Sequence, residues 1–331
     1  MHQLTLGRLR GLQRIASPAG IFAMTALDHR GSMRRMIRPD TPKAVGGEML
    51  TQYKQEICAA LAPASTAMLL DPIYGAAQVL ASGALPREVG LLVSLEKTGY
   101  TGSSEARLTE LLPDWSAEKV KRMGAEAAKL LIYYHPGQPE TAAQQRRLVC
   151  RVAEECARLD LPLLVEPLAY PVGDGDQDPA EFARRKPGVV AETARQVTAL
   201  GIDVLKAEFP ADLRYEHDEG RLLAACQQLD EAAQAPWVLL SAGVTFEEFA
   251  RQVEIAAKAG ASGFLAGRAV WQEAMAMTDG AERRRWLETV AADRVRRLAE
   301  IATSYGRPWW KKWAACPADL VRVDEDWYKT Y

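Results

Sequence analysis

A closed (β/α)8 barrel with an N-terminal helix and a C-terminal extension is the fold this sequence predicts. Eight short apolar runs alternate with longer amphipathic stretches, the pattern of parallel strands joined by crossover helices. No GxGxxG turn follows the first run, which removes the main support for a doubly wound open sheet. A chain of 331 residues, 48% hydrophobic and 25% charged, suits one such barrel with decorations.

The strand candidates span residues 21–27, 66–70, 90–95, 128–134, 163–166, 204–209, 237–241 and 263–266. Helical patterns cover 116–124, 140–159, 189–200, 220–235 and 246–259. Ser116, with Glu118 and Lys119 behind it, reads as a helix start. Gly124, Gly201 and Gly260 stand where helices end and hand over to strands. Pro162 and Pro236 immediately precede strands, which suits a residue with no N–H for the ladder. Residues 171–188, rich in Gly, Asp and Pro, read as a long loop after the fifth strand, on the side where barrel loops serve as substrate lids. No linker or composition shift divides the chain. Residues 1–306 are therefore expected to form one domain and 307–331 a Trp-rich extension.

A net charge of -2 gives no global basic surface for nucleic acid or anionic lipid, so any anion binding must be local. No apolar run approaches the roughly 20 residues that span a membrane. The start of the chain lacks the apolar stretch of a signal peptide, and the cytoplasm is the expected compartment. The five cysteines form no CxxC, which argues against a disulfide framework or structural zinc. His2, His29, His135 and His217 show no ligand spacing, so neither metal nor cofactor is expected.

Polar residues crowd the predicted strand ends, where barrels of this type build their sites. Asp28 ends the first strand, Asp71 the second and Glu96-Lys97 the third. Lys129 interrupts the fourth, Glu166 ends the fifth, and the sixth holds Lys206 and Glu208. A lysine in an apolar strand is either paired, with Glu208 or another carboxylate, or snorkelling to a rim, or kept neutral enough to attack a carbonyl. Lys129 points into the same interior and would disfavour protonation of Lys206. Glu166 lies between them, and in a partly dry mouth its pKa is expected to rise enough for proton exchange near pH 7. Asp28 can orient a lysine or a substrate hydroxyl. Ser241, Gly243, Gly267 and Arg268, after strands seven and eight, combine a hydroxyl, accessible backbone N–H groups and a guanidinium, a suitable phosphate clamp. Amine nucleophile, proton shuttle and phosphate clamp fit carbon–carbon cleavage of a phosphorylated ketose.

The stretches Ala26-Leu-Asp-His-Arg-Gly31, Leu69-Leu-Asp-Pro-Ile-Tyr-Gly75, Glu96-Lys-Thr-Gly-Tyr100, Glu166-Pro-Leu-Ala-Tyr170, Asp203-Val-Leu-Lys-Ala-Glu208, Leu240-Ser-Ala-Gly-Val244 and Ala266-Gly-Arg-Ala-Val-Trp271 resemble the tagatose 1,6-bisphosphate aldolase family. The resemblance implies a class I, metal-free aldolase on a TIM barrel that cleaves its substrate to dihydroxyacetone phosphate and glyceraldehyde 3-phosphate. It assigns the Schiff-base lysine to Lys206, the acid/base glutamate to Glu166, the second lysine to Lys129 and the first-strand aspartate to Asp28. Ser241, Gly243 and Arg268 correspond to its phosphate contacts. His29 stands where the family often has Gln, a position that flanks the sugar, and Pro167 follows the glutamate in place of an aliphatic residue. The related sulfofructose-phosphate aldolases, which yield dihydroxyacetone phosphate and sulfolactaldehyde, are the alternative. For the far end of the ketose His29, Arg30 and Lys97 are the candidates. A non-enzymatic sugar-phosphate sensor would bind without releasing aldehyde, and a metal-dependent aldolase would be inactivated by EDTA.

Beyond Tyr305 the chain departs from that pattern with Arg307-Pro-Trp-Trp-Lys-Lys-Trp313 and Trp327-Tyr-Lys-Thr-Tyr331. These aromatics suit packing onto the barrel or onto a partner subunit of a homo-oligomer better than nucleic-acid stacking.

Overall fold

A computed structural model describes residues 3–173 and 178–331. Among the described residues there are ten strands: β1 (Phe22–Leu27), β2 (Ala67–Leu70), β3 (Gly90–Ser94), β4 (Thr101–Ser103), β5 (Ala106–Leu108), β6 (Ala127–Tyr133), β7 (Leu163–Leu168), β8 (Val204–Ala207), β9 (Trp237–Leu240) and β10 (Gly263–Ala266). Eight of them close into a barrel in the order β1-β2-β3-β6-β7-β8-β9-β10. All its pairings are parallel, including β1 with β10. These eight match the eight apolar runs, so the (β/α)8 expectation holds. The extra pair, β4 and β5, is an antiparallel hairpin inserted between β3 and β6.

Barrel strands are covered by helices outside and by side chains inside, which is why they read as continuous apolar runs. Met24, Ala67, Leu92, Ala127, Leu164 and Val204 belong to one buried cluster that fills the barrel, and Leu4, Leu12, Ile15, Trp309 and Leu320 belong to it too. The latter come from the Leu6–Ile15 helix, its approach, and the segment after Tyr305. Thr5 caps that first helix by accepting from the Arg8 N–H, and the Arg8 guanidinium pairs with buried Asp203 at 2.6 Å. Trp309 is buried against this chain's own barrel, and Trp313 donates its indole N–H to the Gln234 carbonyl at 2.7 Å. Trp327, Tyr328 and Tyr331 stay exposed. Among the described residues no helix is long and apolar enough to cross a membrane.

Local signals acted as read at several points. Ser116 accepts from the Lys119 N–H at the start of its helix. Gly124, Gly201 and Gly260 adopt φ of +88°, +79° and +115°, the left-handed region that favours glycine at a helix end.

The long loop expected over 171–188 is corrected. A helix spans Pro179–Thr198, beginning ten residues before the expected start, and Pro187 lies inside it; residues 174–177 fall outside the described ones. Asp178 caps this helix by accepting from the Ala180 N–H, with Pro179 in the first turn. Burial of Val190, Ala194 and Val197 along one face holds the rest. Packing of that face outweighs the breaker signal of Pro187 and Gly188.

Candidate active site

Side chains alternate along a strand. With Val204 in the barrel filling, Lys206 and Glu208 face inward as well. By the same alternation Ala127 directs Lys129, and Leu164 directs Glu166, into the interior. All four reach the C-terminal mouth, where a cavity of about 460 Å³ is also lined by Asp28, His29, Glu96, Ser241, Gly267 and Arg268.

Lys206 is 4% exposed, and its Nζ lies 2.9 Å from Oε2 of Glu166. The same oxygen lies 2.9 Å from Nζ of Lys129. Lys129 is enclosed further by Asp28 Oδ2 at 2.8 Å and Glu96 Oε1 at 2.6 Å. Burial opposes its charge, but Asp28, Glu166 and Glu96 together hold its ammonium well above the usual lysine range. Glu96 is fixed in turn by the Leu131 N–H, which donates to Oε2 at 3.1 Å.

One expectation about protonation is overturned. Burial alone pushes the Glu166 carboxyl up, but Lys129 and Lys206 outweigh it and hold the group below the usual range. Asp28 behaves alike: burial raises it, and Lys129, Lys206 and His29 pull it far below the ordinary aspartate value. The sequence announces a buried carboxylate but not two ammonium groups within ion-pair distance of it. Glu208, though two residues from Lys206, is not its partner. It accepts from the Ala169 N–H at 2.7 Å, and burial pushes its pKa up.

The opposite wall is built by the ends of β9 and β10. Ser241 Oγ accepts from the Gly267 N–H at 3.2 Å. Gly243 has φ of +82°, and a Cβ added there would stand 2.8 Å from Cζ of Arg268. Gly243 is not itself on the cavity wall; it leaves room for the guanidinium that is. Gly243→Ala is therefore expected to strain the turn and push Arg268 aside. Steady-state kinetics should show KM for a phosphorylated substrate rising about tenfold with little loss of kcat.

His29 stands edge-on to Trp271, with ring centroids 5.1 Å apart. Burial, with Arg268 and Lys206 nearby, lowers its pKa to about 4 against the pull of Asp28, so the imidazole is neutral near pH 7. Its position also explains Gly267, where an added Cβ would meet the ring at 3.0 Å.

Two polar strand ends depart from the reading, one by its place and one by its partner. Asp71 is fully buried away from it, where Oδ2 meets Nζ of Lys54 at 2.7 Å and Oδ1 accepts from the Ile73 and Tyr74 N–H groups. Lys97 lines the cavity but is paired with Glu110 at 2.8 Å. Conversely, Arg35 and Ser32, from the Gly31–Ile37 helix, line the cavity although no strand pattern points to them. In the sequence Glu96 shows only as a strand end. Its closeness to Lys129 follows from the β3–β6 register, Ser94 opposite Lys129.

Residues 22–273 match the family model described as DeoC/LacD family aldolase. A tagatose 1,6-diphosphate aldolase of Listeria monocytogenes serotype 4a (strain HCC23) is 33% identical, covering 95% of this chain and 97% of its own length. Tagatose 1,6-diphosphate aldolase 2 of Streptococcus agalactiae serotype III (strain NEM316) is 32% identical over 92% of this chain and 98% of its own. The Listeria match leaves uncovered fewer residues than follow position 306, so the extension is shared in part with that relative and is not the full departure expected. Among solved structures, an archaeal fructose 1,6-bisphosphate aldolase superposes with a TM-score of 0.58 at 22% identity, covering 90% of this chain and 99% of that one. The fructose-bisphosphate aldolase of Plasmodium falciparum gives 0.67 at 15%, covering 92% and 97%. At such identities these two speak for the barrel alone. The chain belongs to the DeoC/LacD aldolase family, and it is an aldehyde-lyase built on a (β/α)8 barrel.

Proposed function

We propose that the chain cleaves a ketose 1,6-bisphosphate, D-tagatose 1,6-bisphosphate first among them, to dihydroxyacetone phosphate and glyceraldehyde 3-phosphate through a Schiff base on Lys206. The observation that carries this is the Lys206 amine, 4% exposed and 2.9 Å from Glu166, in a cavity that Arg268 also lines. The sugar is suggested by the relatives named as tagatose 1,6-diphosphate aldolases.

The ion pair supplies the first proton transfer. Glu166 takes a proton from Lys206, freeing a lone pair to attack the C2 ketone, and returns that proton to the carbinolamine hydroxyl, which leaves as water to give an iminium. The iminium accepts the electron pair of the C3–C4 bond as Glu166, ionised again, removes the proton of the C4 hydroxyl. Glyceraldehyde 3-phosphate leaves, the enamine takes at C3 the proton that Glu166 removed, and hydrolysis returns the amine with dihydroxyacetone phosphate. Lys129 stays charged between Asp28, Glu96 and Glu166, fixing the base and offsetting negative charge that develops beside it. Ser241, Gly267 and Arg268 hold the phosphate on the dihydroxyacetone side.

An assay coupled to triose-phosphate release, run on tagatose 1,6-bisphosphate, fructose 1,6-bisphosphate and sulfofructose 1-phosphate, tests the assignment. The tagatose ester is expected to show the highest kcat/KM. Preference for the sulfonate would replace the substrate, and binding without release of dihydroxyacetone phosphate would remove the enzyme reading.

A further inference from the structure

We propose that Lys54, on a helix outside the barrel, is a positioning residue for aldol cleavage: it anchors the backbone on both sides of Asp28 and so keeps that carboxylate on Lys129. This rests on the reading above of Asp28, Lys129 and Glu166 as one charged unit, and it adds the residue that holds the outer end of that unit in place.

Lysine is a misfit where Lys54 stands. The Gly47–Leu61 helix buries Leu50, Tyr53, Lys54, Ile57, Cys58 and Leu61, the i, i+3, i+4 face of a helix packed on a core. An ammonium with no exposure loses its hydration there, and only well-placed oxygens offset that loss. Three surround it. Nζ donates to the Leu27 carbonyl at 2.5 Å and to the His29 carbonyl at 2.8 Å, and it meets Oδ2 of Asp71 at 2.7 Å. An ammonium has three N–H groups, so none is left over.

The two carbonyls lie where the barrel no longer holds the chain. β1 pairs with β10 only as far as Thr25 and with β2 only as far as Leu27, and the next helix begins at Gly31. Asp28 and His29 fall in the gap. The Leu27 carbonyl belongs to the peptide unit entering Asp28, and the His29 carbonyl to the unit leaving His29. Lys54 clamps both units, and the Trp271 indole N–H holds the Ala26 carbonyl just before them at 3.1 Å. Asp71 is itself fixed at the end of β2, because its Oδ1 accepts from the Ile73 and Tyr74 N–H groups. The clamp is thus tied to the neighbouring strand.

One contact carries its effect to the chemistry. Oδ2 of Asp28 lies 2.8 Å from Nζ of Lys129, and that Nζ lies 2.9 Å from Oε2 of Glu166. A turn that slips takes an anionic partner from Lys129, and Lys129 no longer holds Glu166 where it serves Lys206. A displacement of about 1 Å in such a constellation can cost about a hundredfold in rate.

A double-mutant cycle on kcat tests this, run with the ketose phosphate of the panel above that the parent cleaves fastest. Lys54→Met/Asp71→Asn removes both charges together, so no unpaired carboxylate is left in the core, and its melting temperature is recorded alongside. On the parent background this double substitution is expected to lower kcat at least about tenfold, with KM within about threefold. On an Asp28→Asn background it should lower kcat less than about twofold, because the group it acts through is already altered. Lys54→Gln/Asp71→Asn keeps an amide that can donate to a carbonyl and should recover part of kcat; the cycle is run with it where the methionine variant does not fold. Equal losses on the two backgrounds would overturn the proposal. So would an unchanged kcat at a temperature well below melting, or a rise in KM as large as the fall in kcat. The imine is judged separately. A borohydride adduct on Lys206 with equal losses on both backgrounds would remove the role of Lys54 alone. Turnover by Lys206→Ala with unequal losses would keep Lys54 and remove the imine.

Discussion

Replacing Lys206 with alanine should lower kcat for aldol cleavage by at least about a thousandfold, because the only route to the iminium is then gone. The fold should survive. Glu166 keeps its contact with Lys129 at 2.9 Å, so no carboxylate is left without a cation. Lys206→Arg sharpens the test. A guanidinium can still pair with Glu166, yet it is permanently charged and cannot condense with a ketone. Alanine and arginine variants should therefore be equally inactive while retaining melting temperatures close to the parent. Sodium borohydride with substrate should reduce the iminium and add the mass of the triose phosphate to the peptide carrying Lys206. An adduct on any other residue, or measurable turnover by the arginine variant, would refute imine catalysis at this position.

The barrel could be read from the chain because each of its strands is covered on both sides, which turns it into an apolar run with charge at its mouth end. The hairpin of β4 and β5 could not. Its strands are three residues each, and the first is exposed throughout, so no core imposes a pattern on them. Position along a strand was enough to bring Lys129, Glu166 and Lys206 to one cavity, since alternation and register leave little freedom. The state of those groups was another matter. Whether Glu166 is raised by burial or lowered by ammonium neighbours depends on distances of under 3 Å between β6, β7 and β8. No strand pattern encodes these. Asp71 shows the same gap from the other side. It ends its strand as the others do, yet it turns to Lys54 of the Gly47–Leu61 helix, a partner invisible without the helix packing. Arg35 went unread because it sits on a short helix with one buried side chain, Met33, and its direction is set by that helix alone.

Lys129→Met should destabilise the protein by about 3–5 kcal/mol and reverse the way its stability responds to acid. In the parent, the folded pKa values of Asp28 and Glu166 lie below their unfolded values. Their contribution is complete above the unfolded range near pH 4 and fades as pH falls through the folded values. Lys129 has a folded pKa well above 10.5, so its share is complete below that value and fades only in strong alkali. From about pH 5 to pH 10 all three contributions are present. Methionine fills much of the lysine stem's volume but leaves Asp28, Glu96 and Glu166, at 12%, 6% and 9% side-chain exposure, without their common cation. Only the Lys206 contact with Glu166 remains. For Asp28 burial and repulsion from Glu166 then outweigh what attraction remains, and its folded pKa rises above the unfolded one. Such a group stabilises the fold when protonated and loses that contribution as pH climbs. Melting temperature followed from pH 7 down to pH 5 should therefore rise in Lys129→Met while that of the parent stays level or falls. A variant whose melting temperature tracks the parent across this interval would mean that Lys129 is not the cation holding these carboxylates ionised, and the charged triad around it would lose its place in the mechanism.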